Sequence, residues 1–384
     1  MPRVCHLITR LVLGGALRIA LETVDFLARS GWEAELWAGP QTGPEGSLHA
    51  EARERGLRLR EVPDLVREVS PARDLRAYRW LRRELAAGGF DLIHTHSSKA
   101  GIVGRHAASA ARVPLRVHSV HGWGVTPDTP FVTRRLFDAL ERRAATKADA
   151  LIAVSGVVRD AGLARRIGRP EQYRVIHGGV VIGPLPGPAE RGRARGALGV
   201  PADALVLGTI GRLDDAKDPL GAIEALAPLL ETEPRAWAVL VGDGPLREPV
   251  RRAVARCGAA GRIVLAGRRP DARELAAAFD LFFLASRWEG FPLAVVEAMA
   301  AGLPVVAYDV AGVREAVADG VNGRLAAPGD RAGWRERIRG LLGDAAARRR
   351  LGETGRGRAE REFGLDRMLR ETRALYDELR AGRR

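Results

Sequence analysis

Ser286-Arg-Trp-Glu-Gly-Phe-Pro-Leu-Ala-Val-Val-Glu-Ala-Met-Ala-Ala-Gly-Leu-Pro-Val-Val-Ala307 follows one short apolar run, Leu281–Leu284, and closes on another, Val305–Ala307. Apolar runs this short read as buried strands. Between them Pro292 predicts a helix start, because its fixed φ suits the first helical position and its missing N–H is not needed there. Strand, helix, strand is the repeat of a parallel sheet covered by helices. Glu289 then falls in the loop before the helix. Glu297 falls inside it, among Ala294, Val295, Val296, Ala298 and Met299. A carboxylate in such apolar company is costly to bury unless something pairs with it. The backbone N–H groups of Phe291, Leu293 and Ala294 lie at the helix N-terminus, where a phosphate is favoured.

The same alternation runs outward in both directions. In the first half, strands are expected at Val4–Ile8, Glu33–Ala38, Leu57–Val62, Leu92–His94, Leu115–Val120, Ala150–Val154 and Tyr173–Ile176. Helices are expected at Ala16–Arg29, Ala72–Ala86, Ala100–Ala111 and Phe131–Ala148. Gly178 to Pro188 carries four glycines and three prolines and reads as a linker. The alternation restarts with strands at Val206–Ile210, Ala238–Val241 and Ile263–Leu265 before the opening stretch, and a polar helical pattern follows from Asp330. For 384 residues, two domains are the natural division. The expected fold is α/β: two doubly wound domains, about 1–180 and 190–364, with a cleft between them.

The chain has 61 basic residues, three of them lysines (Lys99, Lys147, Lys217), and a net charge of +14. Such a surface can meet nucleic acid, anionic lipid or phosphorylated substrates. No basic segment interleaves with aromatics, which argues against nucleic-acid binding. Cys5 and Cys257 lie in opposite halves with no zinc-type spacing, so neither a disulfide framework nor a cysteine metal site is expected. No apolar run reaches the ~18 residues of a spanning helix, and the opening apolar run is too short for a signal peptide. A cytoplasmic protein, at most resting on the inner face of a membrane, is expected.

Gly211-Arg212-Leu213-Asp214-Asp215-Ala216-Lys217-Asp218 follows a strand. A glycine turn with Arg212 and Lys217 can clamp a diphosphate, one through a planar fork and one as a point charge. An anion site flanked by two hydroxyl-accepting carboxylates, Glu289 and Glu297, suits a sugar joined to a nucleotide through a diphosphate. Val241-Gly242-Asp243-Gly244-Pro245 ends another strand, with Asp243 expected to cap the next helix. No Gly-x-Gly-x-x-Gly, Walker loop or Gly-x-Ser-x-Gly is present. Gly14 and Gly15 precede a helix and allow close approach to a ligand. Histidines cluster at two strand ends, His94-Thr95-His96 and His118-Ser119-Val120-His121-Gly122. With no acidic or cysteine ligand beside them, polar strand-end roles fit better than a metal. His121, bounded by Gly122, is placed to aim an imidazole at a substrate.

Together these residues resemble the retaining, nucleotide-sugar-dependent glycosyltransferases of family 4, over nearly the whole chain. That family has the GT-B fold of two facing Rossmann-like domains. The most specific match is Glu289 to Glu297, the family's Glu-x7-Glu element; Gly211-Arg212-Leu213 with Lys217-Asp218, Val241 to Pro245, Gly14-Gly15 and Val120-His121-Gly122 match in order. The resemblance implies that Arg212 and Lys217 bind the donor diphosphate from the Gly211 turn. It implies that Glu289 holds hydroxyls of the transferred sugar, with the backbone of Gly290, Phe291, Pro292 and Leu293 around it. Glu297 would accept from the ribose, His121 would contact the sugar near the reacting carbon, Gly14 and Gly15 would close over the phosphates, and Gly267 and Arg268 would face the base. A final helix near 365–384 would pack back on the first domain, which would bind the acceptor. The segments His94 to Gly104 and His121 to Gly124 look most like bacterial enzymes of cell-surface polysaccharide or glycolipid synthesis. Two departures stand out: Leu17 follows Gly14-Gly15-Ala16 where the family often has Glu, and His177-Gly178-Gly179 stands where it often has an Asn-Gly pair. The implied partners are a nucleotide-diphosphate sugar, a saccharide or lipid-linked acceptor and anionic membrane, with no metal or other cofactor. The rival readings are a sugar-nucleotide epimerase on the same fold and a non-catalytic membrane-associated binding protein.

Overall fold

The structure, a computed structural model, describes residues 1–12, 14–41, 46–125 and 129–383. The chain divides into two compact units. The first is Met1–Gly179 together with the segment from Asp366 onward; the second is Val180–Leu365.

The first unit holds a seven-stranded, all-parallel sheet in the order β3-β2-β1-β4-β5-β6-β7. Its strands are β1 Arg3–Ile8, β2 Glu33–Ala38, β3 Arg58–Glu61, β4 Leu92–His96, β5 Leu115–Val120, β6 Ala150–Ala153 and β7 Tyr173–Val175. The order reverses between β1 and β4, which pair directly with His6 opposite His94 and Ile8 opposite His96. On one side of the sheet Leu7, Ile93, Ala100, Ala107, Leu81 and Trp37 form a buried cluster. The helix Leu365–Ala381 contributes Met368, Leu369, Leu375 and Tyr376 as buried side chains.

The second unit holds a six-stranded parallel sheet in the order β10-β9-β8-β11-β12-β13. These are β8 Leu205–Ile210, β9 Ala236–Val241, β10 Ile263–Gly267, β11 Leu281–Leu284, β12 Val305–Tyr308 and β13 Gly323–Ala326. All-parallel sheets covered on both faces bury near-continuous apolar strands, and Phe282, Phe283, Val305 and Val306 are at or below 1% exposure. Here the order reverses between β8 and β11.

Four local expectations change. Pro292 stands at the N-cap, with φ −84° and ψ 84°, and the helix runs Leu293–Ala300. The expected linker is anchored at its start: the Val180 N–H donates to Phe363 O at 2.9 Å, and Pro188 already opens the helix Pro188–Leu198. Asp243 does not cap the next helix, whose N-cap is Leu246; its carboxylate accepts from Gly244 N–H and pairs with Arg247 at 3.2 Å. Strand β13 was not expected from the sequence. It pairs along β12 with Leu325 opposite Ala307.

Candidate active site

In doubly wound sheets a ligand sits beyond the carboxyl ends of the strands where the order reverses. In the second unit that place is the loops after β8 and β11. The β11 loop is drawn against the β8 loop by Arg287 N–H, which donates to Ala216 O at 2.8 Å. Arg287 also reaches Asp218 at 3.5 Å. Across this seam Lys217 Nζ meets Glu289 Oε1, and the buried Ser286 hydroxyl donates to the same oxygen at 2.7 Å. The Glu289 side chain is only 10% exposed, whereas Lys217 keeps 28%. The lysine head thus stays within reach of a ligand while neutralising a carboxylate that burial would otherwise destabilise.

Backbone contacts fix these loops. Gly211 N–H donates to Val241 O at 3.0 Å, and Gly242 N–H donates to Gly267 O at 2.8 Å, lacing the ends of β8, β9 and β10 together. Gly242 has φ 145°, and a Cβ there would lie 1.8 Å from Gly211 O, so only glycine fits. Gly312 plays the same part under the Glu289 loop, where a Cβ would stand 2.4 Å from Glu289 O.

The other predicted donor residues lie around this seam. Arg212 is exposed and its guanidinium faces Asp214 at 3.5 Å. Gly290, Phe291 and Leu293 are half-buried and Pro292 is buried. Leu293 N–H, expected to face an anion, is turned to Phe291 O at 3.1 Å. The apolar neighbours of Glu297 turn into the core, while its own side chain is 32% exposed and its carboxylate lies 3.8 Å from Arg273. Gly267 ends β10 with φ 66°, and Arg268 beyond it is exposed.

In the first unit, the ends of β1, β4 and β5 carry a buried polar cluster. Side chains two apart on a strand share a face, so His94 and His96 lie on the face that His6 occupies on the neighbouring strand. His96 Nε2 is 3.0 Å from His6 Nδ1, and His96 Nδ1 is 3.3 Å from His121 Nε2. His94 Nε2 is 2.7 Å from Ser119 Oγ, and its Nδ1 contacts the Tyr376 hydroxyl. That hydroxyl is also 3.4 Å from His6 Nε2. Burial pushes the His6 imidazole down to about 3 and His121 down to about 4, and holds His94 and His96 well below the usual range. All four are therefore neutral at pH 7. His118 points to the opposite face, toward Thr95 Oγ1 at 2.9 Å. Gly14 is the N-cap of the helix Gly15–Arg29, whose first turn receives no acidic residue.

Residues 190–358 match the family described as Glycosyl transferases group 1, and residues 14–179 match the Glycosyl transferase 4-like domain. The D-inositol 3-phosphate glycosyltransferase of Actinosynnema mirum is 30% identical over 392 residues, covering 96% of this chain and 93% of that protein. The chain belongs to the group 1 glycosyltransferases. Another relative of this glycosyltransferase is the Escherichia coli UDP-Gal:alpha-D-GlcNAc-diphosphoundecaprenol alpha-1,3-galactosyltransferase, 29% identical over 81% of this chain and 80% of that one. Among solved structures, Anabaena HepE in complex with UDP-glucose superposes with TM-score 0.85 at 25% identity, over 98% of this chain and 100% of that one. The fold is GT-B, with one Rossmann-like sheet in each unit.

Lys217 and Glu289 are legible in the sequence as two separate motifs, whereas Ser286, His6, Tyr376 and Gly312 are not marked there. Ser286 has no role assigned from the sequence, and the strand ranges alone give no order that would set His6 beside His94. Tyr376 lies 282 residues from the histidine it touches. The signal for Gly312 was equally absent, since a single glycine in a helix start has no distinguishing neighbour.

Proposed function

We propose that this glycosyltransferase moves a sugar from a nucleoside diphosphate to a hydroxyl acceptor with retention at the anomeric carbon. The observation that carries the donor half is the Lys217–Glu289–Ser286 constellation at the β8/β11 reversal. Breaking the anomeric bond builds charge on the leaving phosphate oxygen, and fixed cations aimed there lower the barrier. Lys217 and Arg212 supply that charge, so the site needs no metal. Glu289, relieved of part of its lysine contact by the diphosphate, accepts from hydroxyls of the transferred sugar. Glu297 accepts from the ribose, and Gly267 and Arg268 face the base. Gly14 and Gly15 let backbone approach the phosphates. The neutral His121 contacts the sugar by hydrogen bonding rather than as an acid.

The acceptor hydroxyl attacks from the face the diphosphate leaves, and its proton passes to the departing phosphate oxygen. Among the names of the relatives are a lipid-linked diphosphate acceptor and a sugar donor carried on UDP. We extend both classes to this chain: a uridine-type donor and a lipid-linked or polysaccharide acceptor. Incubation with a panel of nucleotide sugars tests this directly. Slow release of the unaltered sugar from one donor, without acceptor, supports the reading; conversion of the donor sugar into its epimer refutes it.

We also place the acceptor side at the inner face of an anionic membrane. No helix among the described residues is long and apolar enough to cross one. Support for a peripheral contact comes from the helix Phe131–Ala145, which is turned inside out. Its acids point inward: Glu141 is buried against Arg105 at 2.7 Å, and Asp138 pairs with Arg165. Its outer face shows Phe131, Val132, Leu136 and Leu140, 40–78% exposed, beside Arg134, Arg135, Arg142 and Arg143. An apolar stripe rimmed by arginines with no exposed acid suits the headgroup boundary of anionic lipid. The variant Leu136→Asp should pellet less with phosphatidylglycerol vesicles than the wild-type protein; equal pelleting removes the helix from the contact.

A further inference from the structure

Every ring nitrogen of His6, His94 and His96 is hydrogen-bonded within the first unit. The contacts form one unbranched path: Ser119 Oγ, His94, Tyr376 Oη, His6, His96, His121. Its last atom, His121 Nδ1, has no partner among the described residues, and His121 is only half-buried where Ser119 is 6% exposed. A neutral imidazole carries one ring proton, so it can donate through one nitrogen only and must accept at the other. Each of the five bonds holds one proton. The tautomers are therefore linked, and the path admits two directions.

In one direction His121 Nε2 donates inward, every bond points toward Ser119, and the Ser119 proton is left without an acceptor in a buried place. In the other, Ser119 donates to His94, His94 to Tyr376, Tyr376 to His6, His6 to His96 and His96 to His121 Nε2. The one donor left over is then His121 Nδ1–H, at the half-buried end. Burying an unmatched donor is the costlier choice. We propose that this second direction is the resting state, and that Tyr376, His6 and His96 are positioning residues that hold His121 in the tautomer offering Nδ1–H to an oxygen of the transferred sugar. This rests on the reading of His121 as a sugar contact.

The ring nitrogens of His6, His94 and His96 also lie within 4.8 Å of one another, a spacing that could hold a metal ion. The two occupancies exclude each other, because a metal takes the lone pairs that the hydrogen bonds use.

Protein labelled with 15N at its eight histidines is suited to long-range proton–nitrogen spectra, which separate protonated from bare ring nitrogens. The wild-type protein should show His121 with a protonated Nδ1 and a bare Nε2. Tyr376→Phe, which cuts the path at its middle, and Ser119→Ala, which removes its donor end, should each give a mixture of the two tautomers. Both should lower kcat about tenfold with donor KM little changed, and Ser119→Thr should restore both readouts. If Tyr376→Phe fails to fold, Ser119→Ala alone decides. A wild-type His121 protonated at Nε2, an unmixed tautomer in the variants, or a stoichiometric metal on His6, His94 and His96 overturns the proposal. His121→Ala is measured alongside. Wild-type turnover in that variant refutes the sugar contact, while the spectra still judge the path itself.

Discussion

Lys217 carries the chemistry argued for the second unit. It is one of three lysines among 61 basic residues, and its ammonium reaches across from the loop that follows β8 to Glu289. Lys217→Ala should lower turnover at least tenfold, about 1.4 kcal/mol of barrier, with an unchanged circular dichroism spectrum; full turnover would remove it from the mechanism. The buried imidazoles make a second prediction at this scale. Their folded values lie below the ordinary 6.5, at about 3 for His6 and about 4 for His121. The unfolded chain therefore takes up protons first as the pH falls. The stability these groups contribute is complete above about pH 6.5 and is lost progressively toward about pH 4 for His121 and about pH 3 for His6, each adding a slope of up to about 1.4 kcal/mol per pH unit. Melting temperatures measured from pH 7.5 to 5 should fall steeply below 6.5; a flat profile would contradict neutral burial.

At the scale of elements, the loops after β8 and β11 are held by backbone contacts as well as by the Glu289 side-chain bonds, and glycines permit the close backbone approach. Gly312→Ala brings a methyl group against the Glu289 carbonyl. It should raise the donor KM at least fivefold, roughly 1 kcal/mol, while the core of the second unit melts as before. An unchanged KM would mean that the loop has no part in donor binding. The strands around this site were legible because parallel strands covered on both faces are apolar throughout, as Leu281–Leu284 and Val305–Tyr308 are. Strand β13 was not, since Gly323 and Arg324 break its apolar run and it is held by pairing along β12. The helix start near Pro292 was legible to within one residue. The short helices His49–Glu54 and Gly156–Ala164 were missed, having too few turns to show a period. The loop pair Lys217–Glu289 was readable as two motifs, but its contact was not, because it depends on β8 lying beside β11. The same holds for His6 and Tyr376: each is an unremarked residue in its own segment, and only strand order and the return of the last helix set them beside His94.

For the whole molecule, the net charge of +14 arises from arginines, many of which are paired on the surface. Exposed pairs contribute little to stability, so the surplus acts mainly on what the surface meets. Vesicle binding through the helix Phe131–Ala145 should weaken as salt rises from 50 to about 500 mM, where screening shortens to a few ångströms, yet keep a residual apolar part. Binding indifferent to salt would argue against anionic lipid. The central claim is narrower: the second unit grips a nucleoside diphosphate with Arg212 and Lys217. Isothermal titration of uridine diphosphate into the wild-type protein, Arg212→Ala and Lys217→Ala tests it most directly. The account predicts binding to the wild-type protein and at least tenfold weaker binding to each variant; equal affinity across all three would contradict it.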